Sequence, residues 1–195
     1  EESQDTFGTS GLSWVLDPID GTRGYVSGTP TWGTLIALND GQEPIFGMID
    51  QPYIGERFVG GLGMAFMERN GVKTSLAARK TRHLSQATIF TTFPEVGSPL
   101  EAEAFHTLAE QCQLTRYGMD CYAYALLAAG QIDLVIEAGL NAYDIQAPMA
   151  LVQAAGGVVS DWRGGNPMNG GRCVCAATPE LHAAALDILR EVPLG

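Results

Sequence analysis

The sequence predicts an α+β protein in which an antiparallel sheet is followed by a mixed sheet packed by helices. Three observations carry that expectation. Short apolar runs separated by tight-turn residues crowd residues 1–80, the pattern of an antiparallel sheet. Beyond about Lys80, helical and strand patterns alternate, which implies a mixed sheet with helices against it. No repeat, low-complexity tract or flexible linker interrupts the 195 residues, so the two halves, 1–80 and 81–195, are expected to form one compact unit, 1–195.

The elements follow in order. Ser13-Trp14-Val15-Leu16 is an apolar run ending at Asp17-Pro18. Residues 34–38 and 44–49 flank Asn39-Asp40-Gly41, a hairpin signal. Residues 56–59, 65–68 and, past the Asn70-Gly71 turn, 72–74 continue the strand pattern. In the second half, 88–90 reads as a strand and 100–112 as a helix. Residues 120–129 form an Ala-rich helix stopped by Gly130, and 132–137 an apolar strand. Residues 145–155 read as a helix closed by Gly156-Gly157, with 158–160 and 173–176 as strands. Thr178 caps a last helix, to about residue 191, with Pro179 at its first position.

Charge narrows the function classes. The chain carries 11 Lys+Arg against 22 Asp+Glu, a formal net charge of −11. Nucleic acid is not an expected partner, because phosphate-backbone binding needs a basic face. Small phosphates stay open if divalent cations supply the positive charge. No apolar stretch approaches the ~20 residues needed to cross a bilayer, so no membrane partner is expected. The sequence begins at Glu1 rather than Met, which suggests a segment ahead of it. Cys112, Cys121, Cys173 and Cys175 lack metal-ligand spacing and are expected as buried thiols in a reducing cytoplasm, with Cys173 and Cys175 on opposite strand faces.

Chemistry concentrates in Asp17-Pro18-Ile19-Asp20-Gly21-Thr22, directly after the first strand. Pro18 stiffens the turn and Gly21 allows a conformation other residues resist. Such a turn can aim both carboxylates and the Ile19 carbonyl at one point, a donor set suited to a hard cation such as Mg²⁺. A short helix starting near Gly21 would turn free N–H groups toward the same point, where a phosphate could sit. The plain alternative is an Asp-Gly turn with a capping aspartate.

The hexapeptide resembles the signature of the Mg²⁺-dependent inositol monophosphatase family. A second family signature, an aromatic-Asp pair opening a helix that ends in Gly-Gly, appears as Tyr143-Asp144 and then Gly156-Gly157, and Glu1-Glu2 resembles the end of the family's Gly-Glu-Glu motif. Residues 31–38 and Tyr117 to Ala125 are most similar to the histidinol-phosphatase branch. The resemblance implies a layered αβαβα sandwich of helices and two sheets, here lacking the N-terminal helices. An apolar sheet face should then be exposed, favouring a homodimer or association with the missing N-terminal segment.

By matching position, the resemblance also implies that Glu1, Asp17, Asp20, Asp144 and the Ile19 carbonyl hold two or three Mg²⁺ ions. Thr22 would position the attacking water, and the Gly21 and Thr22 amides the phosphate. Glu137 falls where the family contacts the leaving group. Asp120 either joins it there or caps the following helix. Pro148, tolerated in a helix only near its first turn, leaves the geometry around Asp144 open. The implied partner is a small phosphorylated metabolite: L-histidinol phosphate, or an inositol or sugar phosphate. A non-catalytic metal- or phosphate-binding remnant is the alternative from another class.

Overall fold

The computed structural model describes residues 9–193. Six strands, β1 (Ser13–Asp20), β2 (Gly33–Asn39), β3 (Pro44–Gln51), β4 (Glu56–Gly61), β5 (Met64–Arg69) and β6 (Val72–Ser75), pair in sequence order as an antiparallel meander. The short helix α1 (Thr22–Ser27) leaves the end of β1. A second sheet has the order β10-β11-β9-β7-β8, built from β7 (Thr88–Thr91), β8 (Leu114–Tyr117), β9 (Leu134–Asn141), β10 (Val158–Ser160) and β11 (Gly170–Ala176). In it β7 runs parallel to β8 and β9, and the remaining pairs are antiparallel.

Four further helices complete the layers. Between the sheets lie α3 (Cys121–Ala128) and α4 (Ala142–Ala154), the latter touching β1 to β5 on one side and β9 to β11 on the other. On the far side of the second sheet, α2 (Pro99–Ala109) packs against α5 (Pro179–Leu189). The second sheet is buried on both faces: Val135 joins the core between the sheets, while Leu134 and Ile136 join the core under α2 and α5. This is why the β9 sequence reads as a continuous apolar run rather than an alternation.

The first sheet alternates instead. Leu35, Ile49 and Phe58 point inward and are fully buried or nearly so. On the outer face Leu16, Ile36, Met48, Val59 and Phe66 stand in one cross-strand row. Trp14 is 63% exposed and Leu16 55%, so the apolar outer face expected from the sequence is present.

Several boundaries differ from expectation. β1 continues through Pro18 to Asp20, which an edge strand allows because only one side must carry a ladder. The Thr34 hydroxyl donates to the Pro18 carbonyl at 2.8 Å, and the register shifts between Asp17 and Asp20. β8 escaped the sequence reading: four residues without an apolar run form an edge strand through pairing with β7 across the α2 crossover. α4 starts three residues earlier than expected, and Pro148 lies inside it rather than in its first turn. Cys173 and Cys175 share a face, with sulfurs 3.7 Å apart, because residues two apart on a strand point the same way.

Gly47 sets how closely α4 approaches the first sheet. A Cβ there would overlap the Ala147 carbonyl, a backbone atom that cannot swing aside. Gly47→Ala is therefore expected to destabilise the fold by about 1–3 kcal/mol through overpacking. A denaturant titration measures this, and an unchanged midpoint would mean the helix–sheet spacing is soft.

Candidate active site

The site forms where β1 ends. Gly21 adopts φ 81° and turns the chain from β1 into α1. A Cβ at Gly21 would press against the Asp120 side chain, 3.0 Å from its Cβ, so the glycine also admits that carboxylate. Asp120 precedes α3 in a backbone conformation rare for a non-glycine residue, φ 47° and ψ −138°. Its side chain does not cap the helix, but is hydrogen-bonded to Thr31. Of the two readings left open for Asp120, the cap is thus excluded. Such backbone strain persists only where the surroundings over-determine it.

Asp144 is the third residue of α4. The Asn141 N–H donates to its Oδ2 at 2.7 Å, so the carboxylate does serve the helix end. It also shares a side-chain hydrogen bond with Asp17. Two carboxyl groups at that range need a positive particle between them, a proton or a cation. Asp17 in turn accepts from the Ile19 N–H at 3.1 Å, which fixes the turn.

Glu137 lies in the middle of β9, not at a strand end as the sequence suggested. It is buried and accepts from the Thr92 N–H at 2.7 Å, the Thr92 hydroxyl at 2.8 Å and the Thr91 hydroxyl at 3.3 Å. A carboxylate offers about four acceptor sites, so one remains for a ligand.

These groups surround a cavity of about 210 Å³, lined by Asp20, Thr92, Phe93, Asp120, Tyr124, Glu137 and Asp144, with residues 138–140 closing one side. Asp17, Ile19, Gly21 and Thr22 adjoin this group through the turn but do not line the cavity. Thr22 opens α1 and is exposed, and the first-turn amides of a helix have no intrahelical acceptor. Glu1 lies outside the described residues. Thr91, Thr92, Phe93 and Tyr124 were not foreseen. Two hydroxyl residues ending a strand are too ordinary a signal, although Tyr124 does fall one helical turn after Asp120.

Electrostatics unify the group. Burial, then the charges of Asp120, Asp17, Asp144 and Glu137, hold Asp20 well above the usual carboxylate range. Burial likewise raises Asp144 and Asp120, opposed at Asp144 by its bonds to Asn141 and Asp17, and at Asp120 by Thr31 and Arg23. Glu137 is pushed up to about 7, burial outweighing the three hydrogen bonds it accepts. The cluster therefore holds more negative charge than its neighbours compensate. Among the described residues no three carboxylate, histidine or cysteine side chains stand close enough to enclose one cation. The donor set nevertheless fits a hard divalent ion, since the Asp17, Asp20 and Asp144 carboxylates and the Ile19 carbonyl all present oxygens.

Two sheets with helices between them thus place a carboxylate nest at a strand-to-helix turn, beside a cavity of about 210 Å³. The chain belongs to the inositol monophosphatase family, whose model it matches over residues 1–194. Members of that family depend on metal ions. Bifunctional phosphatase IMPL2, chloroplastic, of Arabidopsis thaliana is 44% identical over 156 residues, 77% of this chain and 43% of that protein. The histidinol-phosphatase of Streptomyces coelicolor is 31% identical over 94% of this chain and 71% of that protein. The chain thus spans less than half of the first relative and about seven-tenths of the second. The solved inositol monophosphatase of Zymomonas mobilis superposes with a TM-score of 0.86 at 36% identity, covering 94% of this chain and 72% of that one.

Proposed function

We propose that the chain carries an Mg²⁺-dependent phosphomonoesterase site that hydrolyses L-histidinol phosphate to histidinol and phosphate, in histidine biosynthesis. The observation that carries this reading is the cavity wall. Glu137 keeps one free acceptor site and Asp120 faces the same space, so two carboxylates await a cationic leaving group. Histidinol offers an ammonium and an imidazole, whereas a polyol offers only hydroxyls. Relatives named histidinol-phosphatase support the same reading. An inositol or other small monophosphate is the second reading, favoured by the inositol-1-monophosphatase of Rhizobium meliloti, 31% identical over 99% of this chain.

Each residue has a role in this reading. Glu1, Asp17, Asp20, Asp144 and the Ile19 carbonyl would hold two or three Mg²⁺ ions. Cations bound there would neutralise the ester's charge, acidify a water and steady the leaving oxygen. The Gly21 and Thr22 amides hold the phosphate, and the Thr22 hydroxyl orients the attacking water. Glu137 and Asp120 pair with the leaving group's nitrogen.

Glu137→Gln keeps the shape and removes the charge. A hydrogen bond to a charged group contributes about 1.5–3 kcal/mol, so kcat/KM for histidinol phosphate is expected to fall about tenfold to a hundredfold. Inositol 1-phosphate hydrolysis should be largely spared, and Asp120→Asn should act in the same direction. Steady-state kinetics of both variants on both esters test this. Equal losses on the two esters would leave a phosphatase and remove histidinol as the reason for these carboxylates. A full-length protein inactive on every monoester with Mg²⁺ present would leave the remnant reading.

A further inference from the structure

Three buried side-chain polar atoms have no hydrogen-bond partner among the described residues: Gln51 Nε2, Asp133 Oδ1 and the Tyr124 hydroxyl. Of the three residues, only Tyr124 lines the cavity. Its ring is packed into the core between the sheets, 4% exposed, and its position is fixed by α3. The hydroxyl lies within electrostatic reach of the Cys173 and Cys175 thiols and of Glu137 and Asp20. A phenylalanine would fill the same space without stranding a polar atom, and a buried hydroxyl left unpaired costs free energy. The fold therefore gains nothing from the oxygen.

We propose that the Tyr124 hydroxyl is a substrate-recognising group that takes its missing partner from the leaving alcohol when the cavity fills. This rests on the substrate reading above. Asp120, just before α3, and Tyr124, in the helix itself, line the same cavity, and Glu137 lines it from β9. A nitrogen that donates one N–H to Glu137 and lies between these walls can donate a second to the phenol oxygen. Burial holds that phenol neutral, so it adds an acceptor without adding charge. The carboxylates would then select for positive charge, and the phenol for a second N–H on the same atom. An ester whose leaving group cannot hydrogen-bond leaves the phenol stranded, and a site built around a polar group discriminates on that account.

The test is Tyr124→Phe in the full-length protein with Mg²⁺, reading kcat/KM for histidinol phosphate against phenyl phosphate, together with the melting temperature. The expected result is a fall in that ratio of about tenfold, with a melting temperature equal to the wild type or higher. An unchanged ratio overturns the proposal. A lowered melting temperature with equal losses on both esters also overturns it, since the hydroxyl would then be structural. The wild-type preference for histidinol phosphate over inositol 1-phosphate tests the substrate reading separately. If inositol 1-phosphate is preferred, that reading falls. The same ratio is then measured with inositol 1-phosphate, where the tenfold fall is again expected and its absence is again decisive.

Discussion

Asp20→Asn is expected to lower kcat by about a hundredfold to a thousandfold, the loss of several kcal/mol of transition-state charge stabilisation. The substitution preserves size and removes one charge from the place where Asp17, Asp120, Asp144 and Glu137 all act on Asp20. It should weaken the hold on the cation that the transition state requires. The same change relieves repulsion in the folded chain, so with a chelator present the variant should melt at a higher temperature than the wild type. Ser27→Ala serves as the control: Ser27 is exposed on α1, the short helix that follows Asp20, and its hydroxyl donates to the Arg23 and Gly24 carbonyls, outside the cavity. Near-normal kcat in Asp20→Asn would mean the hexapeptide is a turn and nothing more.

Removing divalent cations is expected to abolish activity and to change how stability depends on pH. Asp20, Asp120, Asp144 and Glu137 are all held above their ordinary values in the folded chain. The folded state therefore binds more protons than the unfolded state once pH exceeds the ordinary carboxylate range. Stability from these groups is complete below about pH 4 and declines as pH rises through the folded values, which for Glu137 is about 7. For Glu137 alone, rising from 4.5 to about 7 corresponds to about 3 kcal/mol. Mg²⁺ should restore the loss, so its effect on the melting temperature grows from pH 5 to pH 8. Glu101 and Asp40, held below their ordinary values, act at lower pH, and His182, held down by burial, opposes the trend only below its ordinary value of 6.5. Calorimetry in EDTA and in Mg²⁺ decides it; a melting temperature in EDTA that rises across this window would refute the assignment, as would full activity in EDTA.

What could be seen in the sequence was what lies together in the chain. Asp17 to Thr22 carries its donors, its stiffening proline and its permissive glycine in six consecutive residues, so the turn's chemistry needs no tertiary knowledge. The antiparallel first half and the helix-packed mixed sheet of the second were legible because the hairpin turns and the Gly-terminated helices are local signals too, whereas the layered order of these elements came from the family resemblance. Asp120 was ambiguous for a physical reason: an aspartate before a helix has the same local appearance whether it caps or not. Only the approach of Gly21 and Thr31, which come from a different sheet edge, decides the matter. Thr91 and Thr92 matter through the pairing of β7 with β9, and no local pattern announces which strand will be a neighbour. β8 owes its existence to the same kind of distant pairing.

The division of the site between two sheets bears on how the chain folds. The meander joins only strands adjacent in sequence, so its loops are short and its closure is entropically cheap. Asp20, at its edge, meets Asp120, Glu137 and Asp144 only after the second sheet, with its parallel crossover pairings, has settled over α3 and α4. The mutually repelling carboxylates are thus brought together by contacts between the two sheets, among the most distant in sequence. Assembling them costs electrostatic work, and a divalent cation held among them would offset that work and so favour the closed fold.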